Sequence, residues 1–237
     1  LNVMKTTHPK IIAVVMAGGR GKRLAPFTDH TPKPLLTIGG KRFIDHALAV
    51  VSSVGIKRVV VVGGYRVAQL RQYLSRTAGQ VKIVRADWRT QTLAGFACAL
   101  THLKGSNVLV LNADYLYTPN NIKKLALGLG KLPAIFCSYD LLGDGEDVMK
   151  VSEKNGQILD MSKTLKNYQS LYSGIFYLPA SCSNLVIKIT KNLLDKNDKG
   201  VLSVEKMLVE LARASRVTIK DIGRSNWLEI DTLEELM

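Results

Sequence analysis

The sequence predicts an α/β fold, a Rossmann-like mixed and mainly parallel sheet with helices on both faces and an antiparallel extension in its second half. Three observations predict it. Short apolar segments alternate with segments of helical spacing in the first half. These apolar segments are rich in β-branched residues and lack polar alternation, as expected of parallel strands buried on both faces. After Asp114, strand-like segments follow one another closely, and Asn155-Gly156 is a typical hairpin turn.

The first half alternates strand and helix. In chain order, the predicted elements are a strand at Ile11–Met16, a helix at Arg42–Val54, a strand at Lys57–Gly63, a helix at Val67–Arg76, a strand at Val81–Arg85, a helix at Leu93–Leu103 and a strand at Asn107–Asn112. Helical spacing is clearest in the first helix, and the strand at Lys57–Gly63 contains four consecutive valines. This order implies an α/β/α sandwich.

The second half has a different rhythm. Its predicted elements are a helix at Pro119–Leu127, strands at Ala134–Asp140, Asp147–Lys154, Gly156–Ser162 and Leu171–Leu178, helices at Ser181–Leu194 and Ser203–Arg213, strands at Val217–Ile222 and Trp227–Asp231, and a last helix that opens at Thr232. No linker rich in Ser, Gly or Pro divides the chain. One domain spanning 1–237 is therefore expected.

Composition narrows the class of protein. The chain has 237 residues, 46% hydrophobic and 22% charged, which are globular values. No apolar run approaches the roughly 20 residues of a membrane span, and residues 1–10 lack the apolar centre of a signal peptide. Three widely spaced cysteines resemble reduced core residues, so a cytoplasmic protein is expected. The four histidines have no zinc-ligand spacing with cysteine.

The net charge of +14 has two interpretations, a nucleic-acid-binding protein or an enzyme with polyanionic substrates. The cations are spread along the whole chain, nucleic-acid-binding signatures are absent, and aromatic residues make up only 6%. We therefore expect a solvated surface that attracts anionic substrates and no nucleic-acid partner, with nucleic acid kept as the weaker alternative.

A glycine-rich, cationic turn follows the first strand. Residues 17–23 read AGGRGKR, and Lys33 follows between two prolines. Glycines let backbone N–H groups approach an anion closely, which favours phosphate binding. A P-loop is excluded because Met16 stands where its first glycine belongs, and a Rossmann fingerprint because Leu24 replaces its third glycine. A hairpin turn with solvated charges is the alternative, but it does not explain why a proline stands on each side of Lys33.

Two aspartates are candidate metal ligands. Asp114 follows the strand at Asn107–Asn112, where open α/β sheets bind ligands, although a turn aspartate is an equal alternative. Asp231 precedes the last helix, and the residues alone favour a helix cap there, at Asp231 or Thr232, with a capping box to Glu234 as one possibility.

Later residues could contact a second substrate. Lys163 and Lys150 could each bind its phosphate, although lone lysines are usually solvated. Gly174 interrupts an aromatic strand, which indicates close approach of a ligand or another backbone, or else a bulge.

Taken in order, these segments resemble the sugar-phosphate nucleotidyltransferase family over nearly the whole chain. Its glycine loop G-x-G-x-R and Pro-Lys pair match residues 19–23 and 32–34. The resemblance implies that Asp114 and Asp231 bind Mg²⁺, that Lys163 contacts the acceptor phosphate, and that Gly174 is the strand glycine of the acceptor site. It thereby favours Asp231 as a metal ligand over a cap.

The segment 147–163 looks most like the phosphocholine and inositol-1-phosphate cytidylyltransferases, so CTP is favoured. Residues 91–95, QTLAG, occupy the base-reading position but match neither branch, and Ala113 and Ser162 depart from the sugar-1-phosphate enzymes. The donor nucleotide therefore stays open among CTP, GTP, UTP and dTTP. The identity of the acceptor also stays open. Tyrosine faces would suit choline, whereas hydrogen-bonding side chains would suit a polyol or a sugar. A catalytically silent nucleotide-binding regulator is a further alternative.

The resemblance implies transfer of a nucleoside monophosphate to a phosphate monoester, with release of pyrophosphate. It divides the domain into a nucleotide-binding half, 11–118, and an acceptor-binding half, 119–237. The oligomeric state cannot be read. The implied site residues are, as catalytic groups, Arg23, Lys33 and Lys163; for the nucleotide, Met16, Ala17, Gly18, Gly19, Gly21, Lys22, Gln91, Thr92, Leu93 and Asn112; for the acceptor, Lys163, Tyr172, Gly174 and Glu229; and for Mg²⁺, Asp114 and Asp231.

Overall fold

A computed structural model of the protein describes residues 11–76, 80–141, 147–196, 202–223 and 227–236. The expectation that residues 1–10 contain no signal peptide lies outside the described residues. In the described part, no helix is both long enough and apolar enough to cross a membrane.

The strands and helices follow the predicted order. The strands are β1 Ile11–Ala17, β2 Thr37–Ile38, β3 Lys41–Arg42, β4 Arg58–Gly63, β5 Gln80–Arg85, β6 Asn107–Asn112, β7 Tyr115–Leu116, β8 Ala134–Ser138, β9 Lys150–Lys154, β10 Gln157–Ser162, β11 Ser170–Leu178, β12 Thr218–Asp221 and β13 Leu228–Glu229. The helices are α1 Phe27–His30, α2 Phe43–Ser53, α3 Val67–Leu74, α4 Thr92–Leu100, α5 Pro119–Gly128, α6 Ser183–Asp195, α7 Val204–Ala214 and α8 Leu233–Leu236, with single 3-10 turns at Lys22–Leu24, Lys33–Leu35 and Ala180–Cys182.

Nine of these strands form one mixed sheet, in the order β10-β9-β11-β6-β1-β4-β5, with β8 added beside β11 and β12 beside β8. The strands β5, β4, β1 and β6 are parallel. The strand β11 pairs antiparallel with β6, β8 and β9, whereas β12 pairs parallel with β8. The predicted fold class is confirmed, and the antiparallel extension continues the same sheet.

The apolar residues of β1 explain why it lies in the centre. Ile12 and Val14 point into a core shared with α4, α6 and α7. Ala13 and Val15 point into a second core shared with α2, α3 and α5. A strand that is apolar on both faces is stable only between two layers of helices, which produces the sandwich.

Several predicted strands are shorter in the structure, and the hairpin turn is confirmed. The strand expected at 147–154 begins at Lys150, because the residues before it form a turn and a bend. The strand expected at 227–231 is reduced to β13, which pairs with β7. Asn155 and Gly156 have φ angles of 54° and 73°, as a type I′ turn between β9 and β10 requires.

The order of the strands creates a crevice beside β1. The chain moves from β1 through β4 to β5 on one side, and then returns to β6 on the other. The ends of β1 and β6 stay close, since the Ala113 amide donates to the Met16 carbonyl at 3.0 Å. Open α/β sheets bind ligands where the strand order reverses, outside the carboxyl ends of the strands. The glycine loop, which follows β1, and Asp114, which follows β6, both lie at this crevice.

Candidate functional site

The glycine loop folds directly onto Lys33. Gly21 has a φ of +68°, and a methyl group at its Cα would lie 3.1 Å from Cβ and Cδ of Lys33. The Thr28 hydroxyl donates to the Gly21 carbonyl at 2.8 Å and holds the turn in this shape. The position therefore needs glycine both for its backbone conformation and for the close approach of the lysine.

The start of the same loop is fixed to the end of β4. The Tyr65 amide donates to the Gly18 carbonyl at 3.0 Å. A methyl group at Gly64 would lie 2.4 Å from that carbonyl oxygen, so glycine is needed at this crossing as well. Contacts within the protein thus hold the loop at both ends.

Lys33 is nearly buried, at 6% exposed, and binds two carboxylates. Its ammonium lies 2.6 Å from Oδ2 of Asp114 and 2.6 Å from Oδ1 of Asp231. Burial by itself lowers the pKa of Lys33, but the charges of the two aspartates outweigh it and hold that pKa above its ordinary value. The lysine is therefore a fixed positive charge at the end of β6.

Asp231 does not cap the last helix. The Thr232 hydroxyl accepts from the Glu235 amide, and the Glu235 carboxylate accepts from the amides of Asp231 and Thr232. The capping box is therefore one residue later than the possible box from Asp231 to Glu234. This leaves the Asp231 carboxylate free to face Lys33 and Arg23. Burial raises the pKa of Asp231, but these two cations prevail and lower it.

Arg23 extends the charge network toward the second half of the chain. Its guanidinium donates to Asp231 at 2.5 Å and also donates to Asp147. Asp147 in turn accepts from the Lys163 ammonium at 2.7 Å. Six charges of alternating sign thus follow one another across the crevice, in the order Lys163, Asp147, Arg23, Asp231, Lys33 and Asp114.

Glu229 joins the two aspartates in an acidic cluster. Asp114, Glu229 and Asp231 each offer a carboxylate oxygen, and these oxygens lie within 4.8 Å of one another. Burial, together with the charges of Asp114 and Asp231, raises the pKa of Glu229 to about 8. The crowding of carboxyl groups in this space thus favours a cation, and their hard oxygen ligands suit Mg²⁺. The three carboxyl groups lie close enough to share one ion, so the residues fit the metal.

Gly174 lies in a β-bulge against an aromatic ring. The register between β11 and β8 shifts between Tyr172 and Ile175, and Gly174 has a φ of +75°. A methyl group there would lie 3.0 Å from Cζ of Tyr115. Tyr115 lies opposite Glu229 where β7 pairs with β13, so the glycine gives room to a ring beside the acidic cluster. Of the interpretations weighed for this glycine, the structure supports the bulge.

The predicted nucleotide-binding residues fall into two groups. Along β1 and β6, Met16 lies opposite Asn112, next to the glycine loop. At the start of α4, Leu93 is fully buried and its amide donates to the Leu202 carbonyl, while the Thr92 hydroxyl accepts from the Val204 amide. Thr92 and Leu93 therefore tie α4 to α7, while Gln91 and Thr92 remain exposed.

Two predicted acceptor residues lie in different surroundings. Tyr172 is 2% exposed and packs in the core beneath α7, so its ring is a packing residue in this structure. Lys163 is about one-third exposed at the end of β10 and reaches the crevice through Asp147. Of the predicted acceptor set, Lys163 and Glu229 are partly exposed and Tyr172 is buried.

Sequence reasoning missed Asp147 and Tyr115 as parts of the site. Asp147 contacts Arg23 across 124 residues of chain, and no local pattern signals such a pair. From the sequence, tyrosines are expected only as faces for choline, whereas the ring of Tyr115 packs on Trp227 with centroids 5.5 Å apart. Its place immediately after Asp114 is the signal that could have found it.

A family model described as the MobA-like NTP transferase domain matches residues 13–146, more than half of the chain. This match covers the glycine loop, Lys33 and Asp114. The chain belongs to this family. The predicted nucleotidyltransferase membership is therefore confirmed, and the chain is a nucleotidyltransferase by family.

Two curated relatives are similar over 94% of this chain at 24% identity. One is the CTP:phosphoglutamine cytidylyltransferase of Campylobacter jejuni, 97% of which is covered. The other is the bifunctional IPC transferase and DIPP synthase of Aquifex aeolicus, and the chain spans only 50% of its length. Both names describe those proteins.

Among solved structures, the chain is similar to the inositol-1-phosphate CTP transferase from T. maritima. The TM-score is 0.77 at 19% identity, over 95% of this chain and 91% of the other. At that identity the likeness establishes the fold alone.

Proposed function

We propose that this chain is a Mg²⁺-dependent cytidylyltransferase, which transfers CMP from CTP to a phosphate monoester and releases pyrophosphate. The observation that carries the proposal is the row of alternating charges across the crevice, which ends in Lys163 on one side and in the acidic cluster on the other. CTP is favoured because the C. jejuni relative, similar over almost the full length of both chains, is named for that nucleotide.

The reaction needs positioning and charge neutralisation more than covalent chemistry by the protein. An oxygen of the acceptor phosphate attacks the α-phosphorus, a new P–O bond forms, and the bond to the β-phosphate oxygen breaks. The leaving pyrophosphate takes the electron pair of that bond. The protein must therefore hold two anions together and stabilise the charge that grows on the departing one.

The cations have distinct roles in this proposal. Arg23 and the backbone amides of residues 17–21 bind the β- and γ-phosphates and stabilise pyrophosphate as it leaves. Lys163 holds the acceptor phosphate and lowers its repulsion from the triphosphate. Lys33, fixed by two carboxylates, supplies charge at the end of β1 next to the α-phosphate. Each is a preorganised charge of the kind that lowers a barrier most in a partly dry site.

Asp114 and Asp231 would hold Mg²⁺, with Glu229 close enough to contribute. When bound, the metal supplies Lewis-acid stabilisation of phosphate oxygens. Lys33 keeps Asp114 and Asp231 in place, because its ammonium donates a hydrogen bond to each of these carboxylates.

A matrix of four nucleoside triphosphates against phosphocholine, phosphoglutamine, inositol 1-phosphate and a sugar 1-phosphate tests the proposal. We expect pyrophosphate release that needs Mg²⁺, CTP and one of the monoesters. Release with another triphosphate and a sugar 1-phosphate would replace the cytidylyl assignment with that of a sugar-1-phosphate enzyme. Nucleotide binding without release under any combination would identify a non-catalytic regulator and contradict the proposal.

A further inference from the structure

Asp147 is one carboxylate shared between two cations that serve different substrates in the proposed function. Its Oδ1 accepts from the Lys163 ammonium at 2.7 Å, and its Oδ2 accepts from the Arg23 guanidinium. Burial raises the pKa of Asp147, but its hydrogen bonds to these cations prevail and lower it, so the carboxylate is charged at neutral pH. The side chain is about half exposed, in reach of solvent and ligands.

A bound substrate pair requires both of these contacts to change. Arg23 retains a second partner in Asp231, but the guanidinium edge that faces Asp147 is occupied. The ammonium of Lys163 is likewise occupied by Asp147, its ion-pair partner among the described residues. Phosphate oxygens that bind either cation therefore compete with the same carboxylate.

We propose that Asp147 is an internal counter-ion whose displacement couples binding of the triphosphate to binding of the acceptor phosphate. The inference rests on the proposed function, because it takes Arg23 as a donor contact and Lys163 as an acceptor contact. Asp147 is thus a positioning residue: it acts on the substrates through the two cations.

The coupling follows from the sharing of one side chain. Each contact of Asp147 restricts the rotamers of that side chain, and the second contact then forms at little further entropic cost. When pyrophosphate takes Arg23, the contact between Asp147 and Lys163 must bear the whole cost of ordering the side chain, and it weakens. Phosphate then binds Lys163 more easily. The same argument holds in reverse, as linkage between two binding sites requires.

Binding measurements on the full chain with simple anions test the coupling. Pyrophosphate serves as the probe for Arg23 and inorganic phosphate as the probe for Lys163, both with Mg²⁺, by titration calorimetry. These probes carry neither base nor acceptor group, so the result is independent of whether CTP is the true donor. The variant is Asp147→Asn, which keeps the size of the side chain but removes its charge.

Glu210→Gln is the matched control. Glu210 pairs with Arg213 at 2.6 Å within α7, so this change also removes one anion from an ion pair with arginine, but without contact to Arg23 or Lys163. Melting temperatures of both variants are recorded alongside the titrations to establish that each is folded.

We expect Asp147→Asn to bind pyrophosphate about threefold more tightly than the unaltered chain, the size of a partly exposed ion pair. Saturating phosphate should tighten pyrophosphate binding by about the same factor in the unaltered chain and in Glu210→Gln, and should leave Asp147→Asn unaffected. Weaker pyrophosphate binding in Asp147→Asn, or equal coupling in all three proteins, would overturn the inference. If the anions show this coupling but no triphosphate supports pyrophosphate release, the proposed function is contradicted and the coupling through Asp147 is not.

Discussion

Replacing Gly174 by alanine tests whether the bulge in β11 supports the acidic cluster. Two costs can be read from the structure. The φ of +75° is strained for alanine and costs about 1–2 kcal/mol. The added methyl group would lie 3.0 to 3.2 Å from three atoms of the Tyr115 ring. Such overpacking costs a further amount of about 1–3 kcal/mol. The free energy of unfolding should therefore fall by about 2–5 kcal/mol.

Gly156→Ala is the control that separates the two costs. Gly156 has nearly the same φ, 73°, but a methyl group there would meet nothing within 4 Å. This variant should lose only the backbone term, about 1–2 kcal/mol. Urea unfolding of the two variants and the unaltered chain gives the difference directly.

The two variants should also differ in activity. Tyr115 pairs with Glu229 between β7 and β13 and follows Asp114 in the chain, so a displaced ring moves the acidic cluster. We expect pyrophosphate release to fall in Gly174→Ala and to stay near the unaltered rate in Gly156→Ala. Equal losses of stability in both variants would refute the packing argument, since the contact with Tyr115 would then contribute nothing.

Two further predictions concern the cations of the crevice. Lys33→Met leaves Asp114 and Asp231 without their shared ammonium, so stability should fall by about 3 kcal/mol, and Mg²⁺ should then raise the melting temperature of the variant more than that of the unaltered chain. An equal effect of Mg²⁺ on both would contradict the role given to the carboxylates. Arg23→Ala should keep its melting temperature within a few degrees, roughly the effect of a surface change, and lose about 100-fold in turnover; near-normal turnover would remove Arg23 from the mechanism.

The sequence predicted the parallel part of the fold because its signal is local. Four consecutive valines in β4 and the apolar run of β1 can be read without knowledge of any partner strand. The turn at Asn155 and Gly156 is equally local. The two-residue strand β7 could not be predicted, since two residues carry no periodicity and its pairing with β13 joins distant parts of the chain.

Three residues of the crevice were predicted from the sequence, but their contacts with one another were not. Lys33, Asp114 and Asp231 were each singled out, and the structure brings them within hydrogen-bonding distance. Whether Asp231 capped a helix depended on the competition with Thr232, which only the structure decides. Asp147 could not be found, because its two partners lie far away along the chain or in another element.

The fate of the phosphorus atoms of CTP tests the central claim most directly. With the monoester that supports release, and with Mg²⁺, label placed on the α-phosphate should appear in a cytidine diphosphate conjugate, and label on the γ-phosphate in pyrophosphate. Lys33→Ala should stop both transfers. Recovery of the γ-label as inorganic phosphate, or of the α-label as free CMP, would show hydrolysis in place of nucleotidyl transfer and contradict the account.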